Sequence, residues 1–439
     1  MSLRASLTCH GFDAAEVARR LPLFTMTRSA GFQGRNWYHV PGRIEVLGKH
    51  TDYAGGRSLV CATEQGFAVG AAPRADGTVR IIDAVAQEVR EFPAAPALVP
   101  PRGDWANYPM TVVSRLVRDF GPRVSGFDLA FAGDIPIAAG VSSSSALVVA
   151  VALAAIDLFQ LEATEAYRAN IASLEDLAGY LGAVENGRPF RAFGATAGVG
   201  TVGGNQDHTS ILCSTENALT QVRFDPVMVE KRVAWPDSFR FVIASSGVAA
   251  EKTGPALEHY NDLARMTERL RVLVVGPDSH STLGRAIIEG SVAGLPAGAG
   301  ADPADALRLA RRLTQLTTEC RWLIPGVVDA LAKGQFGRLG ELVAASQHGA
   351  ELGLENQIPE TIELVESARR LGAVAASAFG AGFGGSVWAM VPVSGVERFT
   401  EGWNAEYRRA FPDRELARFI NTRPAPAAGR LAGEASSPA

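Results

Sequence analysis

Ile135-Pro136-Ile137-Ala138-Ala139-Gly140-Val141-Ser142-Ser143-Ser144-Ser145-Ala146 runs without a break into Leu147-Val148-Val149-Ala150-Val151-Ala152-Leu153. A turn bearing proline and glycine leads into four serines, and these into an apolar segment long enough for a buried helix. Serines at a helix start cap orphan N–H groups. The same N–H groups, at the positive end of the helix dipole, form an anion site. On residue types alone two readings stand, a capped core helix and a nucleotide phosphate cradle. A Walker loop is excluded, because Gly-x-x-x-x-Gly-Lys-Ser/Thr occurs nowhere in the chain.

Outward from this element, the 439 residues suit two or three domains. With 47% hydrophobic and 20% charged residues the composition is that of an ordinary globular chain with a large core. A formal charge of -4 suggests neither a nucleic-acid nor an anionic-membrane partner. Cys9, Cys61, Cys213 and Cys320 fit neither a disulfide framework nor a zinc spacing. No apolar run reaches the ~20 residues of a membrane span. Arg4, Asp13 and Glu16 interrupt any signal-peptide core, so a reducing, cytoplasmic setting is expected.

Periodicity and turn residues predict a helix over 14–21 and a strand over 37–40 that stops at Pro41-Gly42. Further strands are expected over 59–71, 79–82 and 127–131, with helices over 106–120 and 163–185. Residues 210–213, 221–224 and 239–244 read as strands. The second half opens with helices over 255–273, 304–332 (interrupted at Pro325-Gly326), 339–352 and 361–371. Strands over 373–378 and 386–392 and a helix over 396–411 follow. The mixture lacks regular βαβ alternation, which favours α+β over a doubly wound sheet.

Two further glycine-bearing stretches stand out. Gly42-Arg43-Ile44-Glu45-Val46-Leu47-Gly48-Lys49-His50-Thr51-Asp52-Tyr53 gathers Arg, Glu, Lys, His and Asp around a glycine, as in a loop that reads polar groups. A solvated charged turn would look the same. Gly380-Ala381-Gly382-Phe383-Gly384-Gly385-Ser386 matches Gly-x-Gly-x-x-Gly, but a strand rather than a helix follows it. A dinucleotide fold is therefore rejected in favour of a tight, hairpin-like turn.

In this order the three motifs resemble the GHMP kinase superfamily, and within it the galactokinase family. The family signature Gly-Arg-x-Asn-Leu-x-Gly-Glu-His-x-Asp-Tyr is similar to residues 42–53, and Pro-x-x-x-Gly-Leu-Ser-Ser-Ser-Ala to residues 136–146. The family's Gly-x-Gly-Phe-Gly-Gly loop resembles residues 380–385, and Gly203-Gly204-Asn205-Gln206-Asp207-His208 resembles its Gly-Gly-x-Met-Asp-Gln segment. The resemblance implies two α+β domains with the active site in the cleft between them. The N-terminal domain (1–222) would be ribosomal-protein-S5-like and the C-terminal domain (223–423) ferredoxin-like. Residues 424–439, rich in Ala, Pro, Gly and Ser, are expected to form a flexible tail.

Phosphoryl transfer needs an anion cradle, a divalent cation, a positive group and something that orients or deprotonates the accepting hydroxyl. The resemblance implies ATP on the stretch Ala139, Gly140, Val141, Ser142, Ser143, Ser144, Ser145 and Ala146. It implies Mg2+ on Ser144 and Glu185, whose hard oxygens suit that ion. Asp207 matches the catalytic carboxylate and Arg43 its partner, an ion pair that would lower the carboxylate's pKa. Sugar contacts carried over are His50, Asp52, the Gly204 backbone and Tyr260. Lys49 stands where galactokinases place a glutamate, Glu45 where they place asparagine and His208 where they place glutamine. Lysine donates only, so a uronic acid or another modified monosaccharide is one expectation and galactose, with Lys49 paired to Glu45 or Glu185, the other.

The expected reaction is ATP plus a small-molecule sugar giving a sugar 1-phosphate. Two competitors are a catalytically silent sugar- and ATP-binding regulator and a GHMP kinase of a non-sugar alcohol. Retention of Arg43, Ser144, Glu185 and Asp207 argues for turnover, and His50-Thr51-Asp52-Tyr53 against the non-sugar alcohol.

Overall fold

The computed structural model describes residues 2–31, 34, 36–101, 103–135, 140–248 and 257–432. Its strands, in chain order, are β1 (Asn36–Leu47), β2 (Arg57–Pro73), β3 (Thr78–Asp83), β4 (Glu88–Pro93), β5 (Phe127–Gly133) and β6 (Ala218–Arg223). They continue with β7 (Met228–Ala234), β8 (Phe239–Ser245), β9 (Ala375–Phe379), β10 (Ser386–Pro392), β11 (Arg418–Thr422) and β12 (Gly429–Leu431). One sheet has the order β12-β1-β2-β5-β3-β4, with β6 on β2 and β7 on β6. The other is antiparallel, β11-β8-β10-β9.

The four serines open the helix Ser143–Leu158. From Ala146 to Ile156 every residue except Leu153 is buried, so the helix is apolar all round and sits in the core. It packs on β1 and β2 and against the helices Asn107–Phe120, Leu174–Asn186 and Gln206–Cys213. Asp157 anchors its far end, accepting from Tyr38 Oη, from Asn36 Nδ2 at 2.7 Å and from Arg430 Nη1 at 2.6 Å.

β1 does not stop at Pro41-Gly42 but continues to Leu47. Its register against β2 shifts between Pro41 and Arg43, and again between Glu45 and Leu47. Such irregularities accommodate a residue without an N–H and re-aim neighbouring side chains. A Cβ on Gly42 would lie 2.9 Å from both Thr63 Oγ1 and the Val141 carbonyl oxygen. Glycine there lets the serine turn lie against the strand, and Arg43 N–H donates to Val141 O at 3.1 Å.

Other elements also differ from expectation. The helix expected over 163–185 is two, Glu165–Asn170 and Leu174–Asn186, because Ser173 caps the second by accepting from Asp176 N–H. Residues 210–213 are not a strand but the end of the helix Gln206–Cys213, whose first turn faces an acid: Gln206 N–H donates to Asp52 Oδ2 at 3.1 Å. At Glu319–Leu323 the helix widens into a π-helical turn before Pro325 rather than breaking at it.

The expected boundary at 222/223 falls inside the β6–β7 hairpin, which carries the first sheet on to Ala234. Nor is 424–432 a loose tail. Pro424 O accepts from Asn217 N–H, Ala425 bridges Ala62, and β12 pairs with β1. Leu431 is buried beside Trp37 and Phe24. Residues 433–439 lie outside the described residues.

The second sheet joins two cores by simple alternation. Phe241, Ile243, Trp388 and Met390 point into the core shared with the first sheet. Val242, Ala244, Val387 and Ala389 pack on Leu364, Trp403 and Tyr407 of the helices Pro359–Arg370 and Val396–Ala410. Ending the chain at Arg423 removes β12 and the buried Leu431 side chain, and is expected to lower unfolding free energy by about 2 kcal/mol or more. A urea midpoint equal to that of the full chain would show that the pairing adds nothing.

Candidate active site

Arg43 and Asp207 are 2% and 7% exposed. Arg43 Nε donates to Asp207 Oδ1 at 2.7 Å and Nη1 to the Gly140 carbonyl at 2.6 Å. One guanidinium thus ties β1 to the serine turn and to the helix Gln206–Cys213. Ser145 Oγ lies 3.2 Å from Glu185 Oε2 and 3.4 Å from Asp207 Oδ2. Its single proton serves one carboxylate at a time. His208 Nε2 stands 3.1 Å from the same Glu185 oxygen.

The resemblance implied Ser144 as the metal serine. Ser145, fully buried, meets Glu185, whereas Ser144 is half-buried at the helix mouth. Adjacent helical residues diverge by about 100°, so the face turned to the carboxylates belongs to Ser145. Ser142, at a φ of 61°, makes no side-chain cap. The first-turn N–H groups that serines were expected to cap thus receive no such bond from Ser142. Gly140 and Val141 turn their carbonyls to Arg43, and Val141 and Ala146 side chains enter the core. Ala139 lies outside the described residues.

Across the cavity, His50 Nε2 faces the Ala381 carbonyl at 2.9 Å and Nδ1 the Tyr53 hydroxyl at 2.8 Å. A carbonyl only accepts, so the neutral ring carries its proton on Nε2. The His50 and Tyr260 ring centroids are 5.1 Å apart. A Cβ on Gly204 would fall 2.2 Å from Asp52 Oδ2, so glycine alone permits this approach. Asn186 fixes that turn, donating to Gly204 O and accepting from Gly203 N–H.

One cavity is lined by Arg43, His50, Asp52, Ser145, Glu185, Gly204, Asp207 and Tyr260, which the sequence had marked. It is also lined by Glu45, Thr201, Gly203, Gln206, His208, Gly380 and Ala381. Of these, Gly380 and Ala381 carried a signal as part of a glycine motif, and Glu45 and His208 as departures from the family pattern. Nothing in the sequence marked Thr201.

Lys49 was an expected sugar contact. It does not line the cavity; it is 1% exposed and donates to Ser377 Oγ at 2.8 Å, away from the site. Glu45 lines the cavity in its stead. Burial pushes its carboxyl up to about 8; Lys49 and Arg43 pull it down, and Glu319 and Asp207 push it up.

Among the described residues no group of three His, Cys, Asp or Glu could hold a metal by itself. The Glu185 carboxylate and Ser145 hydroxyl nevertheless fit an ion such as Mg2+, which takes one or two carboxylates and completes its shell with water and phosphate oxygens.

Three family models match the chain: "GHMP kinases N terminal domain" over residues 107–184, "GHMP kinases C terminal" over 327–409 and "Galactokinase galactose-binding signature" over 30–73. The chain thus carries the N- and C-terminal domains of the GHMP kinases, a family whose members use ATP and typically Mg2+. Within it, the chain is galactokinase-like. It is similar in fold to the Lactococcus lactis galactokinase complexed with galactose, at 22% identity and a TM-score of 0.73, covering 94% of this chain and 100% of that one. The Methanococcus jannaschii mevalonate kinase is similar at 14% identity and a TM-score of 0.53, covering 89% and 98%. A D-glycero-D-manno-heptose 1-phosphate kinase from Bacteriodes thetaiotaomicron is similar at 14% and 0.53, covering 91% and 100%. The two-domain GHMP kinase fold is thereby established. No helix among the described residues is long and apolar enough to cross a membrane.

The Glu45 shift has a definite sign. The folded state holds a proton that the unfolded chain releases near pH 4.5, so this group's contribution to stability falls as pH rises from there through about 8. The gap in unfolding free energy between E45Q and wild type is expected to widen over that window in favour of E45Q, then level off. A gap that stays constant in pH-resolved urea titrations would contradict the burial argument.

Proposed function

We propose that the chain is an ATP-dependent sugar kinase that phosphorylates the anomeric hydroxyl of a neutral monosaccharide, galactose first among candidates, to the 1-phosphate. The observation that carries this is the uncapped start of the helix Ser143–Leu158 beside Asp207, Arg43, Ser145 and Glu185 on one cavity. Phosphoryl transfer is almost entirely positioning and electrostatic stabilisation, and these parts supply both. Asp207 orients the accepting hydroxyl and takes its proton late in the transfer. Arg43, held by Asp207 and Gly140, offsets charge on the transferred group. Glu185 and Ser145 would hold Mg2+, which supplies charge neutralisation on the phosphate oxygens. The first-turn N–H groups bind the terminal phosphates.

His50, Asp52, Gly204 and Tyr260 form the sugar wall. An acidic sugar depended on a cation at Lys49, and that ammonium is turned to Ser377 instead. A neutral hexose is therefore the better fit than a uronic acid. The four cysteines are free thiols, three of them buried, which suits a cytoplasmic enzyme.

A coupled ADP-release assay with galactose, galacturonate and glucuronate tests the reading. Turnover is expected with galactose, and its absence with every neutral aldose would sink it. D207N is expected to lower kcat by about 10²–10⁴-fold with a small change in sugar KM. S145A is expected to raise the Mg2+ concentration needed for half-maximal rate more than S144A does. The reverse order would return the metal role to Ser144.

A further inference from the structure

Among the described residues, Glu45 is the one buried acid of the cavity wall that the transfer step leaves unused. We propose that it is a specificity-determining residue: its carboxyl group binds a second hydroxyl of the monosaccharide and disfavours sugars that carry a carboxylate at that position. The inference rests on the kinase reading above, which brings the sugar to the cavity.

Four observations carry it. Glu45 is 1% exposed and lines the cavity, yet its Oε1 has no hydrogen-bond partner among the described residues. A buried polar oxygen left unpaired is costly, and natural structures leave few without a use. A purely structural role would give it a protein donor or replace it by an apolar side chain.

The nearby cations do not take up the vacancy. Lys49 Nζ donates to Ser377 Oγ, which in turn donates to Gln347 Oε1. Arg43 is engaged by Asp207 and Gly140. Both cations act on Glu45 through their field, holding a carboxyl in place without consuming its oxygen.

The strand geometry places the group. Arg43 and Glu45 are two residues apart on β1, hence on one face and about 7 Å apart along it. The two register shifts bracket this pair. A sugar whose reacting hydroxyl lies at Arg43 and Asp207 thus has another part of its ring at Glu45.

Finally, the charge around the position is selective. Glu319 and Asp207 both act on Glu45 as like charges. A carboxylate on the sugar would join three acids with no unengaged cation among the described residues. A hydroxyl meets no such penalty, since it donates to an ionised carboxyl and accepts from a protonated one. Matching a site to a substrate hydroxyl is also the arrangement that discriminates most strongly.

The test uses the full chain with E45A and E45Q, reading galactose binding by calorimetry, galactose and galacturonate kinetics, and melting temperature. E45A is expected to weaken galactose binding and raise its KM by about 10-fold or more, with kcat within a few-fold. E45Q, which keeps an acceptor oxygen, is expected to stay within about threefold of wild type. The galacturonate-to-galactose rate ratio is expected to rise in both variants, and both are expected to melt at or above wild type. Galactose bound equally by wild type and E45A overturns the role of Glu45. So does equal loss in E45A and E45Q accompanied by lower melting temperatures, which marks a structural role. Galactose bound by wild type without ADP release overturns the kinase reading alone, and no galactose binding by wild type overturns both.

Discussion

The buried Arg43–Asp207 pair is the interaction on which the site depends. Removing two charges from water is expensive, and Coulomb attraction repays it only when further hydrogen bonds complete the geometry. Here the Gly140 carbonyl receives a second guanidinium N–H, and the Val141 carbonyl receives the Arg43 backbone N–H. Strand, serine turn and the helix Gln206–Cys213 are therefore locked by one residue. Movement of any of the three would strand a charge in the core, so the pair sets their relative positions more tightly than apolar packing could.

β1 is the element that makes this possible. Its first half is a core strand, with Tyr38 tied to Asp157 at the end of the serine helix and β12 on its open edge. Its second half carries Arg43 and Glu45 between two register shifts and delivers the chain to Lys49, His50 and Asp52. The strand is thus structural at one end and chemical at the other. Precision on a strand exceeds what a loop can hold, because ladder hydrogen bonds fix each side chain's direction. The Gly48 N–H is further held by Glu319, which also accepts from Ser346, so the π-helical turn of the second half braces the end of β1.

Charge in the cleft is arranged by engagement rather than by number. Among the described residues, the cations near the cavity have partners: Arg43 has Asp207, Lys49 has Ser377, and Arg312 donates to the His50 carbonyl. The acids Glu45, Asp207 and Glu185 line the wall. Under the proposed function, a polyol and a cation-bound phosphate would bring donors or positive charge to acceptors already in place.

Much of this was legible from the chain alone. The serine run, its apolar continuation and the two glycine-bearing stretches carry local signals, since capping, periodicity and turn chemistry act within a few residues. They were enough to reach the α+β class, while the family and the association of Arg43, His50, Asp52, Glu185 and Asp207, which one cavity gathers, came from the motifs' resemblance to galactokinases. What only the tertiary structure decided were matters of direction and closure. Ser145 rather than Ser144 meets Glu185, because a 100° step round a helix is invisible until its neighbours are placed. Lys49 turns away and Glu45 turns in, because register shifts in β1 are set by pairing with β2. Residues 425–431 become part of the first sheet because an open edge of β1, far away in sequence, offers unpaired N–H and C=O groups that only long-range contact can satisfy.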